Sequence, residues 1–306
     1  MKINLLIVLV CIPLLSMAQT ETSSNPTDTT YWIIGGVSSM TFSQVSLTNW
    51  ASGGDNSVSL NGYFNIFADY KKGRSLWENS LELGYGLIKQ GEETFRKTDD
   101  KINLTTKYGR KLSANNNYWY WTSNFNFRTQ FDKGFSRDDD VNYISRFMAP
   151  GYIVLALGLD FKPSEFFSLS FAPVTGKITI VNDDVLSAAG AFGVEPGEKT
   201  RIELGSYLTA QFKKEILENV NFDTRIQLFS NYTNNPQDID VNWENALVMR
   251  INSFMTTSII NQMIYDKDIE FPVLDENGNQ IGIDSKVQFK NIFGVGLTFK
   301  FGKTKN

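Results

Sequence analysis

The chain has 306 residues, a net charge of −4, 13% aromatic residues, one cysteine and no histidine. The lack of histidine excludes Ser-His-Asp triads, His-ligated zinc and His proton shuttles, so no enzymatic activity, catalytic residue, metal or cofactor is expected. Lys and Arg are scattered rather than clustered, which excludes nucleic acid as a partner.

The first eighteen residues read as a signal peptide. Lys2 supplies the positive start, Ile3 to Leu15 form an apolar run broken only by Asn4 and Pro13, and Ser16-Met17-Ala18 puts small residues at −3 and −1 of a cleavage site after Ala18. The run is shorter than the roughly 20 residues that a spanning helix needs. Cys11 follows Val10, where a lipoprotein signal carries a small residue, so it is no lipid anchor and is expected to leave with the signal. Disulfides and thiol chemistry are then not expected in the mature chain. Residues 19–30 are a polar, aperiodic stretch expected to form a flexible periplasmic leader, too short to hold a plug domain of the TonB-dependent kind.

From Tyr31 onward apolar and polar residues alternate, the period of a strand with two different faces. Val58, Leu60, Gly62, Phe64, Ile66, Ala68 and Tyr70 oppose Ser59, Asn61, Tyr63, Asn65, Phe67 and Asp69. Near the end, Phe289, Phe293, Val295, Leu297, Phe299 and Phe301 oppose Gln288, Lys290, Gly294, Gly296, Thr298 and Lys300. The pattern predicts twelve strands near 32–46, 56–71, 75–89, 100–113, 117–131, 150–162, 166–180, 200–213, 219–232, 240–251, 254–266 and 286–301. Strands of soluble proteins average roughly 5–6 residues, whereas a tilted membrane strand needs about 9–11.

Connections after the even-numbered runs are short, and those after the odd-numbered runs are long: 47–55, 90–99, 132–149, 181–199, 233–239 and 267–285. That rhythm, with an even strand count, predicts an all-β antiparallel outer-membrane barrel over 31–306, with short periplasmic turns and long external loops. Lipid must contact the apolar parity, so outer-membrane lipid and other outer-membrane proteins are the expected partners. Trp77, Trp119, Trp121, Tyr232 and Trp243 suit interfacial belts.

Several stretches resemble a family of Bacteroidota outer-membrane β-barrel proteins catalogued as a domain of unknown function (DUF3078-like). They are Gly35-Gly36, Phe42-Ser-Gln-Val-Ser-Leu-Thr-Asn-Trp-Ala-Ser-Gly-Gly-Asp-Asn-Ser57, Tyr70-Lys-Lys-Gly73, Trp77-Glu-Asn-Ser80, Gly84-Tyr-Gly-Leu87, Arg96-Lys-Thr-Asp-Asp100, Thr129-Gln-Phe131, Ala149-Pro-Gly-Tyr152 and Pro173-Val-Thr-Gly-Lys177. The resemblance implies a barrel and an address in the outer membrane, and no activity.

Other motifs resolve to structure. Lys177 in Thr-Gly-Lys lacks the first glycine and following helix of a phosphate loop. Asp275-Glu-Asn-Gly-Asn-Gln has glycine fourth, not sixth as a calcium loop requires, so Asn277-Gly278 reads as a hairpin turn between Phe271–Leu274 and Gln280–Ile283. Asp138-Asp-Asp140 reads as a solvated acidic loop. The polar parity supplies nine candidate lumen-lining charges: Glu82, Lys107, Arg128, Arg201, Glu203, Asp223, Arg225, Glu244 and Arg250. Asn49, Trp50, Gly53 and Gly54 form a candidate loop or partner site. Two functions stay open. One is a channel for passive or selective passage of small solutes, tuned by the lumen charges and the 181–199 and 267–285 loops. The other is a non-conducting structural or assembly-partner barrel acting through its external loops. An eight-stranded barrel is filled by side chains and one of 16–18 strands leaves a channel, with twelve lying between.

Overall fold

The computed structural model describes residues 31–48, 55–115, 118–136, 139–274 and 280–302. The expected signal peptide, the leader and the 49–54 candidate segment lie outside these residues. Twelve long strands build the molecule: β1 (Trp32–Val45), β2 (Ser57–Lys72), β3 (Ser75–Gln90), β4 (Arg96–Lys111), β5 (Trp119–Thr129), β8 (Gly151–Phe161), β9 (Phe167–Ile180), β10 (Thr200–Leu217), β11 (Val220–Asn231), β12 (Ile239–Arg250), β13 (Met255–Tyr265) and β16 (Gln288–Gly302). Each matches an expected strand to within four residues. The numbering leaves room for two loop hairpins, β6 (Gly134–Ser136) with β7 (Asp139–Ser145), and β14 (Glu270–Leu274) with β15 (Gln280–Ser285).

The strands close into one antiparallel barrel in the order β1-β16-β13-β12-β11-β10-β9-β8-β5-β4-β3-β2. The first and last strands seal it, from Gly35 opposite Gly302 to Phe42 opposite Val295. Closure leaves no edge strand with unpaired backbone. At one end the connections are tight. Gly73 and Asn219 take positive φ, +57° and +65°, in the two-residue turns after β2 and β10. At the other end, long loops carry both hairpins and a short helix, α1 (Asp184–Ala188). The β14–β15 hairpin forms as the sequence predicts, while its turn, 275–279, lies outside the described residues. Neither the β6–β7 hairpin nor α1 is foreshadowed, because each is too short to show a period.

The barrel is apolar outside and polar inside. Ile202 is 70% exposed and its neighbour Glu203 3%; Val174 is 64% exposed and Thr175 1%. A water-soluble barrel shows the opposite contrast. Aromatic rings girdle the tight-turn end: Trp32 packs on Tyr70 and Trp77, Tyr108 on Trp121, Trp119 on Phe161, and Phe212 on Phe166 and Phe222, at centroid separations of 4.8–6.4 Å. Trp243 departs from this expectation. It lies within β12 rather than at a rim, and its indole N–H donates to Thr224 Oγ1 at 3.0 Å. Trp77 likewise donates to Thr106 Oγ1 at 2.7 Å, so both outward indoles satisfy their polar atom on the wall itself.

Register shifts in the β8–β9 and β9–β10 pairs coincide with Gly158 and Gly205. A Cβ on Gly158 would overlap the Phe171 carbonyl and Ala172 Cα; one on Gly205 would overlap the Ser230 carbonyl. These bulges need glycine for close backbone approach. Gly158→Val is therefore expected to destabilise the barrel by about 1–3 kcal/mol, the usual scale of overpacking. The folded, heat-modifiable gel band of the purified protein should be lost at a lower temperature than in the unsubstituted chain. An unchanged transition would refute this account of Gly158.

Candidate functional site: the charged lumen

Inward parity places most of the expected charges in the lumen, at three depths. Nearest the tight turns, Lys162 Nζ lies 2.6 Å from Glu78 Oε2, and Lys107 pairs with the fully buried Asp160, which also accepts a hydrogen bond from Thr122 Oγ1 at 3.1 Å. Asp223 accepts from Gln211 Nε2 at 3.1 Å, and Lys213 lies 3.6 Å away. Farther from the tight turns, one residue before the long-loop end of β5, Arg128 sits over the ring of Tyr152, 5.0 Å from its centroid.

At mid-depth, charges from opposite walls meet. In the ring of strands, β3 lies six strands from β11, and β4 six from β12, so each pair is diametrically opposed. On one wall Lys101 Nζ is 2.8 Å from Glu82 Oε2; on the other Arg225 Nη2 is 2.6 Å from Glu244 Oε2. Across the lumen Lys101 reaches Glu244 at 3.6 Å and Arg225 reaches Glu82 at 4.0 Å. Two carboxylates and two cations thus form a closed, neutral ring spanning the barrel. Amides hold the carboxylates in place: Asn103 Nδ2 donates to Glu82 at 3.3 Å, and Gln262 Nε2 to Glu244 at 3.3 Å. Beside the ring two inward side chains keep accessible surface. Tyr63 faces inward next to Glu82, opposite Gly84 in the β2–β3 register, yet is 39% exposed; Ile260 of β13, also inward, is 37% exposed.

At the long-loop mouth a second network forms. Lys177 Nζ lies 2.7 Å from Asp240, 3.5 Å from Glu203 and 3.7 Å from Asp266, and 5.0 Å above the Phe229 ring. Arg201 Nη2 bonds Glu203 at 3.0 Å and Asp268 at 2.7 Å. Carboxylate oxygens of Asp240, Asp266 and Asp268 come within 4.8 Å of one another, and Lys177 and Arg201 supply the counter-charge. A cavity of about 210 Å³ opens beside them, lined by Glu203, Phe229, Asn231 and Asp238 among others. Lys290 Nζ also bridges β16 to Asp99 of β4 at 2.9 Å.

Arg250 departs from the expected set. It is exposed at the tight-turn rim, where Nε donates to Asn219 Oδ1 at 2.9 Å and its backbone N–H to the Asn219 carbonyl at 2.8 Å. As the last residue of β12 it clamps the adjacent turn and does not line the lumen. The sequence reading missed Lys101, Asp160, Lys177, Asp240, Asp266 and Asp268. Lys101, Lys177 and Asp240 carried a signal, since each shares a parity with polar neighbours on its strand, as Lys101 does with Asn103 and Lys107, whereas Asp160 follows Val154, Ala156 and Gly158 on its parity. The two aspartates of the loop after β13 have no parity to read.

The loops around the mouth have a small core of their own. Ala149, Val181, Leu186 and Val194 are buried together, with Tyr143 and Phe192 packed against them. Asp183 ties it together. It caps α1 by accepting from Val185 and Leu186 N–H groups at 3.0 and 2.9 Å, and it accepts from Tyr143 Oη and Arg146 Nη1, both at 2.9 Å. Burial pushes its carboxyl pKa up, but the Leu186, Arg146, Tyr143 and Val185 hydrogen bonds outweigh it, and the net shift is downward. A depressed folded pKa gives stability that is present above the unfolded value, roughly 3.9, and is lost as pH falls through the folded one. Cleavage of these loops in the folded barrel by an acid-active protease should therefore rise as pH drops below the ordinary carboxylate range. Asp183→Ala should raise loop cleavage already at pH 7, with about 1 kcal/mol lost from the cap alone. Equal cleavage of both chains at pH 7 would refute the latch.

The model of a family described as "Protein of unknown function (DUF3078)" matches residues 42–135, from β1 into β6. That stretch contains most of the motifs that carry the sequence resemblance; Gly35-Gly36 lies before it, and Ala149–Tyr152 and Pro173–Lys177 lie beyond it. No curated protein matches the chain. Solved structures similar to it include the COG4313 outer membrane channel from Pseudomonas putida F1, at 12% identity and TM-score 0.41 over 92% of this chain and 100% of that one. The NanC porin is similar at 11% identity and TM-score 0.40, over 87% of this chain and 100% of that one. The translocator domain of the autotransporter NalP from Neisseria meningitidis is similar at 8% identity and TM-score 0.31, over 90% of each chain.

Proposed function

We propose that this protein is a non-enzymatic outer-membrane barrel that passes small solutes through a narrow, charge-lined lumen. The carrying observation is the distribution of charge. The outer wall is apolar over the strand length, while ion pairs, amides and hydroxyls line the interior, and Tyr63 and Ile260 keep accessible inner surface beside the Glu82–Lys101–Arg225–Glu244 ring. Hydrocarbon requires every backbone polar group to be paired within the protein, which the closed sheet achieves. A purely structural barrel has no need of charges at mid-depth, where burying ion pairs brings little net stability over apolar packing. In this reading the tight turns, the start of β1 and the end of β16 face the periplasm, the long loops face outward, and the 1–18 segment directs export.

The conformation described is bridged at mid-depth, so the expected conductance is small. Purified protein in a planar bilayer should give discrete, low-conductance steps. Replacing Glu82 and Lys101 together by alanine removes one wall's half of the bridge and should raise the step size. A folded wild-type barrel and a folded double variant that both fail to conduct would overturn the channel reading in favour of a barrel acting through its external loops.

A further inference from the structure

We propose that the four-charge ring at mid-lumen is a recognition site for small zwitterionic solutes of the α-amino-acid type. The inference rests on the channel reading and adds a substrate class to it.

The ion pairs of the ring are of unequal length. Within each wall the ion pairs are close, 2.8 Å for Lys101–Glu82 and 2.6 Å for Arg225–Glu244. Between walls they are loose, 3.6 Å for Lys101–Glu244 and 4.0 Å for Arg225–Glu82. Charge-assisted hydrogen bonds prefer about 2.7–2.9 Å, so the cross-lumen contacts are the weak joint. A solute that parts the walls must replace both of them.

The two walls present their charges head to tail. Each offers one carboxylate and one cation, and each carboxylate faces the other wall's cation. A zwitterion replaces both lost contacts at once: its carboxylate meets Lys101 or Arg225 while its ammonium meets Glu244 or Glu82. The ring stays neutral throughout. A lone anion satisfies one cation and leaves a carboxylate facing it, and a lone cation does the converse. An uncharged solute breaks both contacts and restores neither with a charge. Groups left unpaired in a narrow lumen carry a desolvation penalty, which is how such a site discriminates. Asn103 and Gln262 keep Glu82 and Glu244 oriented while their cross-lumen partners are exchanged. The half-exposed inner faces of Tyr63 and Ile260 leave room beside the ring for a small side chain.

The experiment measures uptake into proteoliposomes of four probes of similar size: alanine, lactate, ethylammonium and glycerol. Wild type is expected to pass alanine about tenfold faster than lactate or ethylammonium, the factor that corresponds to roughly 1.4 kcal/mol. Glu82→Gln with Lys101→Gln keeps one wall neutral but removes its charges. This variant should pass glycerol faster and lose the preference for alanine. Arg225→Gln with Glu244→Gln makes the same test on the opposite wall. A heat-modifiable band for each variant establishes that it is folded. Four probes passing in order of size alone would overturn this inference and leave the channel reading standing. A preference for alanine that survives in both variants would overturn the assignment to the ring. Passage of none of the four would overturn both readings.

Discussion

The backbone of this chain has one way to pair all its N–H and C=O groups without water, and that is for the sheet to meet itself. The β1–β16 seam, from Gly35 opposite Gly302 to Phe42 opposite Val295, completes the ring. Once the seam exists, side-chain parity ceases to be a local property. Every second residue is committed to the outside and every other one to a lumen shared by twelve strands. The apolar exterior, the aromatic girdle and the polar interior all follow from that commitment.

The same constraint creates the electrostatic problem in the lumen. Inward-facing Glu, Asp, Lys and Arg have little water around them and must find partners, because an isolated charge in such a place is costly. The chain meets this with short ion pairs between neighbouring strands and longer ones across the lumen. Asp160, with no exposed surface, is matched by Lys107; Lys177 is surrounded by Asp240, Glu203 and Asp266. Pairing along the wall is rigid because the backbone register fixes it. Pairing across the lumen depends on long side chains reaching over a gap, which makes the mid-depth ring the most easily rearranged part of the network.

The loops at the wide end follow a different logic. They leave the sheet, so they build a small core from Ala149, Val181, Leu186 and Val194 and fasten it through Asp183. Their position shapes the mouth: the Gly193 carbonyl accepts from Arg201 at 3.4 Å, and Arg201 in turn holds Asp268. Lumen and loops therefore meet at Arg201 on β10, as they do at Lys177 on β9, which reaches Asp266 of the loop after β13.

The strands, their alternation and the short–long rhythm of their connections were legible in the sequence, because period-two patterning is a local property carried by each run on its own. So was the inward direction of Glu82, Lys107, Arg128, Glu203, Arg225 and Glu244. Where a loop element is too short to show a period, as in α1 and the β6–β7 hairpin, no local pattern announced it. Nor did the sequence reveal which inward charges meet. Glu82 and Arg225 are opposite only because the ring holds twelve strands, which places β11 six strands from β3, and level only because the register of every intervening pair sets their depth. Face is decided by neighbours along the chain, whereas partnership across a lumen is decided by the closed circumference, and that quantity exists only once the barrel has formed.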